Sequence, residues 1–325
     1  MSSWLVADSI FADGRLQTSV ALDSASMSIT AAPPASALRL PGTLLPGLTD
    51  AHVHAGLVDL GVVRAGGIAG VWDLGGDPDY LKRLPPSVRV VFAGQFLTAP
   101  GGYPSDRAWA PPNSCRAVRS ASDGVAAVEE QVACGASLIK VTAHAGGPLL
   151  PAPVLEAIVG AARAHGLPVA AHAEGPGTVP AAVSAGVELL AHTPWTAAED
   201  GGLLRSAADQ GMRWISTLDI HGWGSETPAV GTAIDNLRRF LGYGGSVLYG
   251  TDLGNGPLVP GVNPREIRLL QRAGLTPADI LAAMTPDAAV LPPCWIPGGL
   301  DLSPSAFADV MATARVVGPE VRPRG

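Results

Sequence analysis

The chain has 325 residues, 47% of them hydrophobic and only 15% charged, with a formal net charge of −7 at pH 7. That balance supports a large buried core and excludes a disordered chain, and an acidic sequence with no Lys/Arg cluster excludes a phosphate-binding stripe for nucleic acid. No run approaches 18 uninterrupted apolar residues, and the first residues lack a basic segment followed by an apolar one, so a soluble, cytoplasmic protein with no membrane partner is expected.

Residues 1–44 hold short alternating runs at 4–10, 18–22 and 27–30, separated by Asp-Gly and Pro-Pro turn signals. They predict a small antiparallel β segment. From residue 44 the pattern changes to apolar runs of four to eight residues alternating with helical periodicity, the signature of repeated βα units. Strands are expected at 44–51, 68–74, 88–96, 138–143, 167–173, 188–192, 213–218 and 247–251. Eight parallel strands are what a closed (β/α)8 barrel needs.

Helices are expected at 122–133, 154–164, 179–186, 198–210, 232–241, 264–273 and 277–284, several of them stopped by Gly, as at Gly166 and Gly211. Residues 293–325 read as loop plus strand, with 307–312 the clearest extended run, expected to pair with the N-terminal β segment. The predicted architecture is therefore an α/β, TIM-like (β/α)8 barrel over 44–292. A small composite β-sandwich side domain is expected from 1–43 and 293–325.

Cys115, Cys134 and Cys294 are too few and too dispersed for a disulfide framework or a thiolate zinc site. The polar residues that interrupt the strand pattern are more informative. A barrel carries its chemistry at the C-terminal ends of its strands. The first strand ends in His52 and His54, whose i, i+2 spacing turns both side chains to the same side. The fifth ends in His172, the sixth in His192 and the eighth in Asp252, while the fourth carries Lys140 inside an apolar run.

A lone histidine beside an apolar run is commonly just a packed residue. Equivalent placement at five strand ends argues for one shared mouth instead. Imidazole and carboxylate ligands without thiolate suit Zn2+, with Mn2+, Co2+ and Ni2+ remaining open. A protonated ammonium cannot ligate a cation, so Lys140 must be neutral, turned away, or converted into an anion.

The set Pro46-Gly47-Leu48-Thr49-Asp50-Ala51-His52-Val53-His54, then Lys140, His172, His192 and Gly250-Thr251-Asp252, resembles the metal-dependent amidohydrolase superfamily. Asp73-Leu74-Gly75-Gly76 and Ile139-Lys140-Val141 make it similar to the imidazolonepropionase-like and prolidase-like branch, over residues 4 to about 315. The resemblance implies a centre of two divalent ions, zinc being the expected metal. His52, His54 and Asp252 would hold one ion, His172 and His192 the other, and Lys140, carbamylated by CO2, would span both beside a bridging hydroxide. Asp252 would be the catalytic proton carrier in hydrolysis of an amide C–N bond of a dipeptide, N-acyl amino acid or cyclic amide.

Other chemistries on the same fold stay open: a single-metal deaminase or imidazolone-type ring hydrolase, and lactone or phosphoester hydrolysis. A scaffold without catalysis is disfavoured because all six ligand positions are filled. The chain departs from the pattern in two places. The helix after the first strand must be a stub at 57–64, and the sixth strand continues His192-Thr193-Pro194-Trp195 where relatives often have His-Gly.

Substrate choice should come from the loops. Tyr103, His144, Trp195 and His221 are the candidate substrate contacts, with Trp109 and Trp223 as further apolar lining. Glu174 is expected to hydrogen-bond the ligands from behind, and Arg107 to be solvated rather than a carboxylate receptor. The expected partners are a small-molecule substrate and further copies of the chain in a homo-oligomer.

Overall fold

A computed structural model describes residues 4–318, so residues 1–3 and 319–325 of the two expected terminal segments lie outside the described residues. The chain opens with β1 (Trp4–Ala12), β2 (Arg15–Gln17), β3 (Ala21–Asp23), β4 (Ile29–Thr30) and β5 (Leu38–Leu45). There follow β6 (Thr49–Val53), α1 (Leu60–Ala65), β7 (Gly70–Asp73), α2 (Pro78–Leu81), β8 (Arg89–Phe92), β9 (Phe96–Thr98) and β10 (Cys115–Ala117).

The next stretch alternates regularly through α3 (Ala121–Ala133), β11 (Ile139–His144), α4 (Ala152–Ala164), β12 (Val169–Glu174), α5 (Thr178–Ser184) and β13 (Leu189–Leu190). It continues with α6 (Gly201–Asp209), β14 (Arg213–Ile215), α7 (Pro228–Gly242), β15 (Ser246–Leu248), α8 (Pro264–Arg272) and α9 (Pro277–Ala283). The last elements are β16 (Cys294–Ile296), α10 (Phe307–Met311) and β17 (Arg315–Val316).

Two parallel sheets form the centre of this mixed α/β fold, one of seven strands ordered β10-β9-β11-β12-β13-β14-β15 and one of three ordered β6-β7-β8. Beside β6 runs the chain around β15: Ala51 N donates to the Tyr249 carbonyl (2.9 Å) and His54 N to that of Leu253 (2.8 Å). The helices between strands are fixed at their starts by side-chain caps, Ser120 on α3, Asp200 on α6, Thr227 on α7 and Asn263 on α8, with a reciprocal Thr276/Asp279 box on α9. Behind the strands Trp214 stacks face to face on Phe240, with ring centroids 4.0 Å apart.

Three expectations need correction. The run 44–51 is not one strand: Leu44 and Leu45 end β5 in the terminal sheet, and pairing resumes in the parallel set at Thr49. Pro46 lacks an N–H, and a Cβ on Gly47 would come within 2.4 Å of Leu291 Cβ, so the chain turns there between two packed layers. The run 88–96 divides into β8, which pairs with β7, and the start of β9, which pairs with β11. Gly94 between them takes φ +76°, and a Cβ on it would sit 2.2 Å from Gln131 Oε1.

The run 307–312 is helical, not extended. Phe307, Ala308 and Met311 are its buried residues, the i, i+1, i+4 spacing of one helix face. The C-terminal strands that join the N-terminal ones are β16, antiparallel to β5, and β17 beyond it, in a seven-stranded sheet with β1 to β4.

Candidate metal centre

His52 and His54 leave the end of β6, a strand whose five residues are all buried. Two buried carboxylates hold this end in place. Asp50 accepts from His52 N (3.1 Å), Thr251 N (3.0 Å) and Thr251 Oγ1 (2.5 Å), which ties the first strand of the parallel set to the last. Asp73 accepts from Ala55 N (2.7 Å) and Gly75 N (3.0 Å), fixing the turns after β6 and β7 to each other. Burial raises the carboxyl of Asp50 to about 7 and raises that of Asp73 as well.

The hydrogen bonds on the imidazoles decide which nitrogens are free. His52 Nδ1 lies 2.7 Å from the Ala191 carbonyl, which can only accept, so Nδ1 carries the hydrogen and Nε2 a lone pair. His54 Nδ1 faces the Gly75 carbonyl (3.2 Å) in the same way. His192 Nδ1 pairs with Thr217 Oγ1 (2.9 Å), and His172 uses Nε2 toward Glu174 Oε2 (3.0 Å), which leaves His172 Nδ1 as its open nitrogen.

Two of these imidazoles face Asp252 directly. His52 Nε2 and His54 Nε2 stand 3.1 and 3.2 Å from Asp252 Oδ1. His52, His192 and Asp252 each present a ligand atom, and those atoms lie within 4.8 Å of one another. The His172 ring stands edge-on to that of His192, centroids 4.9 Å apart.

Burial holds His52 and His192 well below the ordinary histidine range, so both are neutral and ready to donate lone pairs. Burial works against the charge on Asp252, yet His54 beside it helps hold the carboxyl well below the ordinary carboxylate range. Lys140, only 2% exposed, reaches the same cavity from β11, and burial brings its ammonium down to about 7.

A cavity of about 290 Å3 joins these groups, walled on its apolar side by Leu57, Phe96 and Trp109. All six of His52, His54, Lys140, His172, His192 and Asp252 line it, and so does Tyr103, whose ring stacks on His172 at 4.7 Å. The other three candidate substrate contacts are not part of that wall. His144 packs on Tyr103 (5.6 Å) with Nδ1 3.1 Å from Glu174 Oε2. Trp195 stands edge-on to His192 (5.4 Å) and His172 (5.8 Å) with His221 stacked on its outer face (4.6 Å). Arg107 lies over the Tyr103 ring at 5.6 Å, and Trp223 is 47% exposed.

Sequence reasoning missed several supports. Thr217, partner of His192, has φ +40°, and Asp252 has φ +59°, two non-glycine residues held in the left-handed region at strand ends. Glu266 on α8 accepts from Leu218 N (2.9 Å) and Asp219 N (2.7 Å), while Asp219 in turn binds Asn263 Nδ2 and the Arg265 guanidinium. Glu266 is buried beside Ile267 and Leu270, and an acid on the apolar face of an otherwise regular helix was the available signal.

No family model matches the chain, and neither does any curated protein. Among solved structures, it is similar to a Xaa-Pro dipeptidase with bound methionine in the active site (TM-score 0.75, 18% identity, 96% of each chain covered). An amidohydrolase matches with TM-score 0.74 and 19% identity over 95% of this chain and 94% of the other. The ochratoxinase of A. niger matches with TM-score 0.74 and 18% identity over 95% and 91%. The chain shares its fold with these three structures.

Proposed function

We propose that the chain is a binuclear metal-dependent hydrolase that cleaves an amide C–N bond, its ten paired strands closing into a (β/α)8 barrel over residues 44–292. Residues 1–43 and 293–325 are read as the side domain. The hydrogen bonds between β6 and the chain around β15, and the division of the third barrel strand into β8 and β9, support a closed ring of eight.

The observation that carries the metal is the meeting of His52 Nε2 and Asp252 Oδ1. Both atoms are buried acceptors 3.1 Å apart, and neither has a hydrogen-bond partner. Two lone pairs aimed at each other are costly unless a cation lies between them. The donor set fits zinc or a similar divalent ion. His52, His54 and Asp252 would hold one ion and His172 and His192 a second. Lys140 would serve both after its neutral amine adds CO2 and releases a proton to become an anionic carbamate.

Ions held there would supply an acidified water and a Lewis acid for the scissile carbonyl. Asp252 takes the proton of the attacking water and returns it to the departing nitrogen. Its Oδ2 accepts from Asn255 Nδ2 (2.8 Å), which fixes the carboxylate plane. Tyr103, stacked on His172, closes one side and presents a phenol to the substrate. The dipeptidase, amidohydrolase and ochratoxinase among the structural neighbours support hydrolysis as the reaction class.

One observation favours a second reading. His52, His192 and Asp252 alone suffice for a three-ligand site, as a single-metal deaminase or imidazolone-type ring hydrolase would need. Elemental analysis of purified protein, with turnover measured on dipeptides, N-acyl amino acids, cyclic amides and lactones, tests both. About two ions per chain with amide turnover supports the first reading. About one supports the second, and protein that binds no divalent metal overturns both.

A further inference from the structure

A second cavity of about 500 Å3 adjoins the metal cavity and shares His54, Leu57 and Trp109 with it. It lies beside the single 3-10 turn Ala55–Leu57 that follows β6, which contributes Gly56 and Leu57 to its wall. Its remaining walls are Tyr80 and Leu81 on one side and Pro111 and Pro112 on the other. Gly75 and Gly76 line it with bare backbone, packed so closely that a Cβ on Gly75 would collide with the Phe96 ring at 2.3 Å and one on Gly76 would press on Leu81 Cδ1 at 3.3 Å. Leu57, Tyr80 and Trp109 are 43%, 46% and 43% exposed, an uncommon cost for three large apolar side chains gathered around one space.

The charges around both cavities are one-sided. No arginine or lysine lines the annex, and Lys140 is the only one in the metal cavity. Arg107 sits outside, over Tyr103 and 3.5 Å from Asp106. The acids nearby are Asp252, Glu174 and, in the annex, Asp77, whose Oδ1 caps α2 by accepting from Asp79 N (3.0 Å). Within the annex a substrate carboxylate would meet Asp77 and no lysine or arginine side chain to receive it. An aromatic ring would meet Trp109 and Tyr80.

We propose that this annex is a substrate subsite, and that it receives an aromatic arm of an uncharged amide whose scissile bond lies in the metal cavity. The proposal rests on the hydrolase reading for its chemistry, but the pocket's preference is measurable without it. Three amides separate ring from charge: phenylacetyl-glycine methylamide, acetyl-glycine methylamide and phenylacetyl-glycine, the last with a free carboxylate. For the metal-loaded protein, kcat/KM for the first should exceed that of the other two by roughly tenfold or more. Ala110→Phe, which fills the annex from the loop beside Trp109, should erase the aromatic advantage.

Binding is read separately on metal-free protein, with N-methyl-2-phenylacetamide as the probe in a ligand-observed saturation-transfer titration. The wild type should saturate, and Tyr80→Ala, a change at an exposed position that spares folding, should weaken the probe several-fold. Saturable binding lost in the variants, with no amide turned over, sustains the annex and rejects the hydrolase reading. Turnover without an aromatic advantage, an advantage that survives Ala110→Phe, or preference for the free carboxylate overturns the annex and leaves the hydrolase reading standing.

Discussion

Glu174 Oε2 stands 3.0 Å from His172 Nε2, so the outer nitrogen of this imidazole is committed and the inner one is left free. The hydrogen bond also pulls Glu174 below the ordinary carboxylate range. A carboxylate behind a ligating imidazole fixes its tautomer and raises its basicity. Glu174→Ala should therefore lower affinity for the ion served by His172 by roughly 10- to 100-fold while the other ion is retained. Competition with a chelator, followed by elemental analysis, reads this out. Unchanged retention of both ions would remove Glu174 from the site.

Lys140→Ala should reduce the metal content from about two ions per chain to about one and abolish most turnover. Short carboxylic acids added to the variant should restore part of both, because they supply the anion that the side chain no longer provides. A variant that keeps its full metal complement and rate would defeat the carbamate assignment.

Asp252→Asn should leave the fold intact and lower kcat by about 10²- to 10⁴-fold, since an amide cannot carry the proton. The backbone tolerates the change: Asp252 has φ +59°, and asparagine is among the few residues that enter the left-handed region readily. Circular dichroism should overlay that of the wild type. Full activity in Asp252→Asn would strip this residue of its role.

Glu266 tests the frame instead of the chemistry. Burial raises its carboxyl from 4.5 to about 7, while the N–H groups of Leu218 and Asp219 oppose the shift. Because the folded value is the higher one, the native state holds an extra proton between pH 4.5 and 7. The stability this group contributes is complete below pH 4.5 and is lost as pH rises through 7. Glu266→Gln is neutral throughout, so the stability difference in urea unfolding should move in the variant's favour across that window. A difference that stays constant with pH would place Glu266 in an ordinary ionised state.

Much of this molecule is legible in its sequence because the polar residues that line the cavity break an otherwise apolar pattern. His52, His54, Lys140, His172, His192 and Asp252 are conspicuous where they stand, and the structure brings all six to one cavity. Alternation and capping located α3, α4 and α8 within two residues of their observed ends. What stayed hidden depends on partners distant in the chain. Glu266 explains Leu218 only once α8 lies against the end of β14, and Gly47 marks a break only because Leu291 packs over it. The run 307–312 misled because five residues of mixed apolar character fit either period, and burial of Phe307, Ala308 and Met311 on one face decided for the helix.

The hydrogen bond from Thr251 to Asp50 spans 201 residues. During synthesis the first histidine pair therefore emerges long before Asp252, the carboxylate it faces, and the open edge of β6 waits through nearly the whole parallel array for its neighbour. A ribosome-bound chain halted ahead of Thr251 would own all seven histidines and lack Asp252. The meeting of His52 and His54 with Asp252 is thus among the last contacts this polypeptide can acquire as it is made.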